Sequence, residues 1–308
     1  MSLISVVMPV YNGERFVRDA LESVLAQSFT DQEVLVFDDG STDSSAEIIS
    51  SIAKRDRRVV VHLRDHQGYT RLLNEGITLA RGEFLARMDA DDVCESERFA
   101  RQLLLLAEHP EVVAVGTGMT IIDEAGDPFS VTCPPVNHAD IDAAHLSGRG
   151  GALAHPTLMV RADAIRGIGG YRPEFEPAED LDLLLRLAEV GKLANLPEPL
   201  LRYRVHSQMT SVVKRERRQK VLPSIIGDAR NRRGLSQYDI ERTYADGTAL
   251  SCSPSRRCGQ AFHSGFYRTA AKYALRCCWD APLVPSNWCR WVRMKYLSVR
   301  IGDRVAGT

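Results

Sequence analysis

Apolar runs of five to nine residues alternate with stretches of 3.6-residue periodicity along the first hundred positions. "LISVVMPVY" (residues 3–11), "EVLVF" (33–37), "VVVHL" (59–63) and "EFLARM" (83–88) read as buried strands. Between them, Glu14 to Gln27, Thr42 to Lys54 and Tyr69 to Ala80 carry the apolar stripe of amphipathic helices. Strand and helix alternating at this pitch predict a parallel sheet covered by helices on both faces. Right-handed crossovers then place any ligand beyond the carboxyl ends of the strands.

Past a helix expected over Glu97 to Glu108 the segments shorten. "VVAVGT", "MTIID" and "FSVT", with a turn at "EAGDP", predict a small antiparallel addition. The glycines of "SGRGGALAHP" (147–156) predict a mobile loop. A strand "TLMV", a loop to Glu179, a helix "LDLLLRLAEV" stopped by Gly191 and a strand near "LLRYRVH" follow. After Val213 the pattern is basic and mainly helical, and no internal repeat is present.

Three of the expected strand ends carry polar motifs: "PVYNG" (9–13), "DDGSTD" (38–43) and "DADD" (89–92). These should converge in space. Asp89 and Asp91, one residue apart where a strand breaks into a loop, can turn toward one cavity, and like charges so close require a cation or a donor cluster. Hard oxygen ligands suit Mg²⁺ or Mn²⁺, whose shell a substrate phosphate completes. In "DDGSTD", Gly40 allows a tight turn, Ser41 or Thr42 can cap the next helix, and Asp38 and Asp39 offer acceptors for a base or a ribose.

The four segments "VVMPVYNG", "VFDDGSTD", "NEGITLARGEFLARMDADD" and "AEDLDLLLRL", in that order and at these separations, resemble the inverting family 2 glycosyltransferases of the GT-A fold. The likeness covers roughly residues 3 to 210. It implies an α/β, Rossmann-like, mostly parallel central sheet with a small antiparallel addition, plus a helical C-terminal extension. It also implies a metal-dependent, inverting transfer from a nucleotide sugar, a UDP-sugar foremost, to a saccharide or lipid-linked acceptor. By the resemblance Pro9, Tyr11 and Asn12 line the nucleoside pocket, Asp39 meets the base with Asp38 nearby, and Arg71 is the basic residue contacting the base. Asp89 contacts the ribose or the ion's water shell, and Asp91 is the principal metal ligand. Asp180 is the general base, with Glu179 its local competitor. "YRVHSQMTS" resembles the family's Y-R-x-H segment, so His206 reaches the ion or the diphosphate, with Arg202 or Arg204 balancing charge. His155 in "AHPT" lies where sugar contacts are expected. A sugar nucleotidyltransferase would need a Gly-rich basic loop after the first strand, where "VYNGERF" stands; a non-catalytic binder would not need intact acidic motifs.

Composition divides the chain. The net charge is -1, yet residues 1–213 hold 20 Lys+Arg against 33 Asp+Glu and residues 214–308 hold 19 against 7. That split suggests a catalytic domain over 1–213 and a basic helical region over 214–308 that meets an anionic membrane, an acidic partner or its own acidic body. Phe262, Phe266, Ala270, Tyr273 and Cys277 fall on one stripe opposite Arg268, Lys272 and Arg276, the pattern of a helix lying in a membrane interface. Trp288 and Trp291 amid Arg290, Arg293 and Lys295 point the same way. No nucleic-acid partner is expected. Seven cysteines without a CxxC pair imply a reduced compartment, and the spacing of the tail cysteines with His263 matches no common zinc site. No stretch approaches the ~18 apolar residues of a membrane span and no basic leader precedes Leu3, so the expectation is a cytoplasmic protein, peripheral at the inner membrane face.

Overall fold

The computed structural model describes residues 3–209, 213–236, 254–280 and 285–300. β1 (Ile4–Val10) is buried along its whole length, as a central parallel strand covered on both faces must be. It pairs in parallel with β2 (Gln32–Asp38) on one side and β4 (Phe84–Arg87) on the other, and β3 (Val59–Leu63) extends β2. Alternate residues sort into two cores. Val6, Met8 and Val10 meet Ala20, Leu21 and Val24 of α1 (Val17–Leu25), Ile49 and Ile52 of α2 (Ser45–Ala53), and Phe99 and Leu106 of α4 (Arg98–Glu108). Val7, Leu35 and Phe37 meet Leu72, Leu73 and Ile77 of α3 (Tyr69–Leu79) on the other face. The four strands and four helices expected here are present: the helices and the first and fourth strands are shorter by one or more residues, the third strand is matched, and β2 is longer by one residue at each end.

The second half departs more from expectation. "VVAVGT" and "MTIID" form one strand, β6 (Val112–Ile122), pairing in parallel with β9 (Lys192–Arg204) and antiparallel with β7 (Pro128–Val131) and β8 (Met159–Arg161). The glycine of this strand permits close approach: a Cβ on Gly116 would lie 2.3 Å from Asn195 Oδ1. β9 is thirteen residues long, and β5 (Val93–Cys94) pairs with its end. Helix α6 (Ala162–Gly167) occupies a segment expected to be a loop, α5 (His138–Leu146) one to which no element was assigned, and α7 begins at Glu179 and runs to Val190. The sheet order is β3-β2-β1-β4-β8-β6-β9-β5.

The C-terminal region is helical where described: α8 (Arg215–Arg232), α9 (Pro254–His263), α10 (Tyr267–Asp280) and α11 (Pro285–Arg300). Leu222, Ile225, Ile226 and Ala229 of α8 pack on Ala178, Leu181 and Leu185 of the body. The apolar stripe from Phe262 to Cys277 is not one helix, because Gly265 at φ 81 ends α9 and starts a new direction. Phe266, Ala270 and Tyr273 are buried with Ile121, Phe129 and Val205, so this stripe faces the protein. Cys258, Cys277 and Cys278 are free and buried; Cys252 and the side chains of Cys289 and Arg293 lie outside the described residues. Among the described residues no helix is long and apolar enough to cross a membrane.

Candidate active site

Parallel β1, β2 and β4 end at one edge, with Val10 level with Asp38 and Val7 with Arg87, so the three polar motifs meet there. The first two are laced together. Asn12, at φ 49, accepts from Thr42 N at 2.9 Å through its side-chain oxygen, while its own N–H donates to Ser41 Oγ at 3.0 Å. Gly13 N donates to Ser45 Oγ and Glu14 N to Asp43 Oδ2. The Asn12 side-chain oxygen therefore holds the loop's shape. Buried Asp39 accepts from Gln67 N at 2.8 Å and Gly68 N at 3.1 Å, and His66 Nδ1 lies 3.0 Å from its Oδ2. Tyr11, 51% exposed, stands with its ring 4.4 Å from that of His66. Asp38 and Pro9 are buried beneath this shelf, and Arg71 is exposed on the first turn of α3. His66 was not singled out from sequence; only its position just before "GYT" at the start of α3 could have signalled it.

"DADD" lies at the adjoining strand end. Carboxylate oxygens of Asp89, Asp91 and Asp92 all fall within 4.8 Å of one another. Burial, then Asp91's charge after the offsetting pull of Arg87, raises the Asp89 pKa; burial and both neighbours raise that of Asp92 well above the ordinary carboxylate range. The fold answers part of this repulsion from β9. Arg204 N donates to Asp92 Oδ1 at 2.9 Å, Arg204 Nε to the Asp91 carbonyl at 2.8 Å, and His206 Nε2 stands 2.8 Å from Asp91 Oδ2. Asp92 Oδ2 and His206 Nδ1 are buried without a hydrogen-bond partner. Asp92 was not among the site residues expected from sequence; its partner, Arg204, lies 112 positions away and left no local signal.

Opposite the acidic loop, α7 presents Glu179 and Asp180 at its first turn, where backbone N–H groups favour a carboxylate. Asp180 is half-exposed and accepts from Leu181 N. Glu179 is buried, accepts from the Tyr69 hydroxyl at 2.9 Å, and is pushed up to about 8 by burial and by Asp180. Between the two acidic groups lie Arg87 and Tyr171. Arg87 Nη1 is 2.6 Å from Asp89 Oδ1, and buried Tyr171 feels Arg87, Glu179, Asp180 and Asp89 together. His155 bonds Tyr171 Oη at 2.7 Å and is held neutral by burial and the charge of Arg87. A groove lined by Asp31, Glu33, Arg57 and Arg81 opens at the opposite edge of the sheet and lacks this constellation.

Residues 5–161 match the family described as Glycosyl transferase family 2. The chain belongs to this family. The glycosyltransferase is 34% identical over 209 residues to the putative glycosyltransferase EpsE of Bacillus subtilis, covering 66% of this chain and 73% of that one. It is 31% identical to the O-antigen biosynthesis glycosyltransferase WbnJ of Escherichia coli over 68% of this chain and 82% of the other. The fold is that of GT-A enzymes. S. aureus TarS 1-349 in complex with UDP-GlcNAc superposes with a TM-score of 0.61 at 18% identity, covering 98% of this chain and 93% of that one. The Pyrobaculum calidifontis mannosyltransferase PcManGT, in complex with GDP-Man and Mn²⁺, gives 0.56 at 18% identity over 96% and 80%.

Proposed function

We propose that this glycosyltransferase is metal-dependent and inverting, moving a sugar from a nucleotide sugar, a UDP-sugar foremost, to a hydroxyl of a saccharide or lipid-linked acceptor in cell-surface polysaccharide or glycolipid synthesis. The observation that carries the reading is the carboxylate cluster of Asp89, Asp91 and Asp92 at the strand edge. Three mutually repelling carboxylates, one with an orphaned buried oxygen, fit a hard divalent ion such as Mn²⁺ or Mg²⁺. Asp91 and Asp89 would hold it, with His206 beside Asp91. Such an ion supplies charge that stabilises the departing diphosphate.

The chain's own groups account for the rest. Tyr11 and Asp39 form the nucleoside shelf over Pro9 and Asp38, Asn12 fixes its loop, and Arg71 flanks the base. Asp180 takes the acceptor hydroxyl's proton as that oxygen bonds to the anomeric carbon and the carbon–oxygen bond to the diphosphate breaks on the opposite face. Base assistance of this kind gives about 10²- to 10⁴-fold, and alignment of the two reactants supplies a larger share. The ligands of TarS and PcManGT support a nucleotide-sugar donor with a divalent ion, and the names of WbnJ and of the amylovoran enzyme AmsE support a polysaccharide product. The C-terminal region adds a surface. Trp279, Trp288 and Val292 are 78%, 43% and 58% exposed on α10 and α11, with Arg290 and Lys295 alongside, which suits an anionic membrane at the cytoplasmic face and a lipid-linked acceptor. Incubation with sugar nucleotides and Mn²⁺ should release nucleoside diphosphate, and Asp91→Ala should abolish that release. Full turnover by Asp91→Ala in the presence of a chelator would refute the metal role.

A further inference from the structure

Five arginines are buried among the described residues: Arg87, Arg98, Arg186, Arg204 and Arg257. Four of them spend their donors inside the fold. Arg98 binds Gln102 Oε1 and the Arg87 carbonyl, Arg186 binds Asp182 and two carbonyls, Arg204 binds three carbonyls, and Arg257 binds Tyr273 Oη. Arg87 differs. It is 7% exposed, its Nε has no hydrogen-bond partner, and its one side-chain engagement is the 2.6 Å ion pair of Nη1 with Asp89 Oδ1. A buried guanidinium with idle donors is costly unless something else receives them.

We propose that Arg87 binds the donor sugar, donating hydrogen bonds from its idle N–H groups to an oxygen substituent on the transferred ring. This rests on the donor reading given above. Position supports it: Arg87 ends β4 between Asp89, on the diphosphate side, and Tyr171, which borders Glu179 and Asp180 on the acceptor side. The reacting carbon must lie between leaving group and incoming oxygen, so the ring spans this gap. The neighbours are already committed to one another, His155 to Tyr171 and Tyr69 to Glu179. The open capacity at this spot is therefore that of a donor. The matching ring substituent is an acceptor, a hydroxyl or an acylamino carbonyl, and not an ammonium group.

The test is calorimetric titration, with Mn²⁺, of UDP, UDP-GlcNAc, UDP-glucose and UDP-galactose, and of GDP and GDP-mannose, into the unmodified protein, Arg87→Met and Arg87→Lys. For the sugar nucleotide that the unmodified protein binds most tightly, Arg87→Met should weaken binding at least about tenfold while the bare nucleoside diphosphate changes by less than about threefold. Arg87→Lys keeps the charge beside Asp89 and should show the same selective loss in smaller measure. An equal loss of nucleotide and sugar nucleotide in the lysine variant would overturn the proposal in favour of a role in holding Asp89. Unchanged sugar-nucleotide binding in both variants would overturn it as well. Failure of the unmodified protein to bind any of these compounds would instead sink the donor reading itself.

Discussion

Replacing Glu179 with glutamine should stabilise this glycosyltransferase in alkali and leave it nearly unchanged in acid. The carboxyl is buried at the head of α7 beside Asp180, and both burial and that neighbour resist its ionisation, moving its pKa from 4.5 to about 8. A raised acid holds its proton in the native state over a range where the unfolded chain has released it. Stability from this group is therefore complete below about pH 4.5 and declines as pH climbs through about 8. At ~1.36 kcal/mol per tenfold change the full displacement sets an upper bound of roughly 5 kcal/mol. Because Asp180 shares the repulsion and stands at a solvent-facing rim, about half of that, ~2 kcal/mol, is the expected gain for the neutral amide at pH 9. The amide oxygen can still accept from the Tyr69 hydroxyl, so the packing is kept. Urea unfolding at pH 5 and pH 9 measures it, and the melting temperature at pH 9 should rise by about 4 °C. A glutamine variant destabilised equally at both pH values would show that Glu179 is ionised and bonded as such, and the reasoning fails.

Three further outcomes follow from particular contacts. Asp180→Asn should lower kcat by about 10²- to 10⁴-fold while sugar-nucleotide affinity, read by calorimetry, stays within a fewfold; a small effect on kcat would remove Asp180 from the base role. Gly76→Ala places a Cβ 2.4 Å from Val7 Cγ1 in the layer between α3 and β1, so urea unfolding should show a loss of about 1–3 kcal/mol. Glutamates at both Trp279 and Trp288 should abolish co-sedimentation with phosphatidylglycerol vesicles at low salt, and a doubly substituted protein that still pelleted would dismiss the membrane surface.

The first half of the fold was legible because β1 and β2 are buried on both faces and so are written mostly in apolar residues. The acidic and asparagine-containing loops were legible because parallel strands deliver their ends to one edge. What escaped depends on distant partners. Gly116 reads locally as a break, and only Asn195 on β9 explains it as a close crossing inside a long strand. α5 carries few apolar residues, with Ile141 and Ala144 providing most of its buried face, so its period is faint. The buried state of Asp92, its bond to Arg204, and the idle donors of Arg87 are products of tertiary placement, with no trace in spacing.

The same long-range pairing decides how the C-terminal region can be tested. Removing everything after Val213 is not a clean experiment, because the tail is part of the wall behind the acidic loop. Lys272 and Tyr273 donate to the buried carboxylate of Asp123, each at 2.7 Å. The Asp123 and Glu124 carbonyls in turn receive Arg204, which also holds the Asp91 carbonyl and the Asp92 side chain. Truncation would strip two donors from a buried carboxylate and uncover Ile121, Phe129 and Val205 at once. A truncated protein that lost membrane binding and activity together would therefore report on damage to β6 and β9. The exposed tryptophans avoid this confusion, since Trp279 and Trp288 sit on the outer side of α10 and α11, away from the Phe266 and Tyr273 that cover the body. Substitution there tests lipid binding without disturbing the contacts that hold the acidic loop in place.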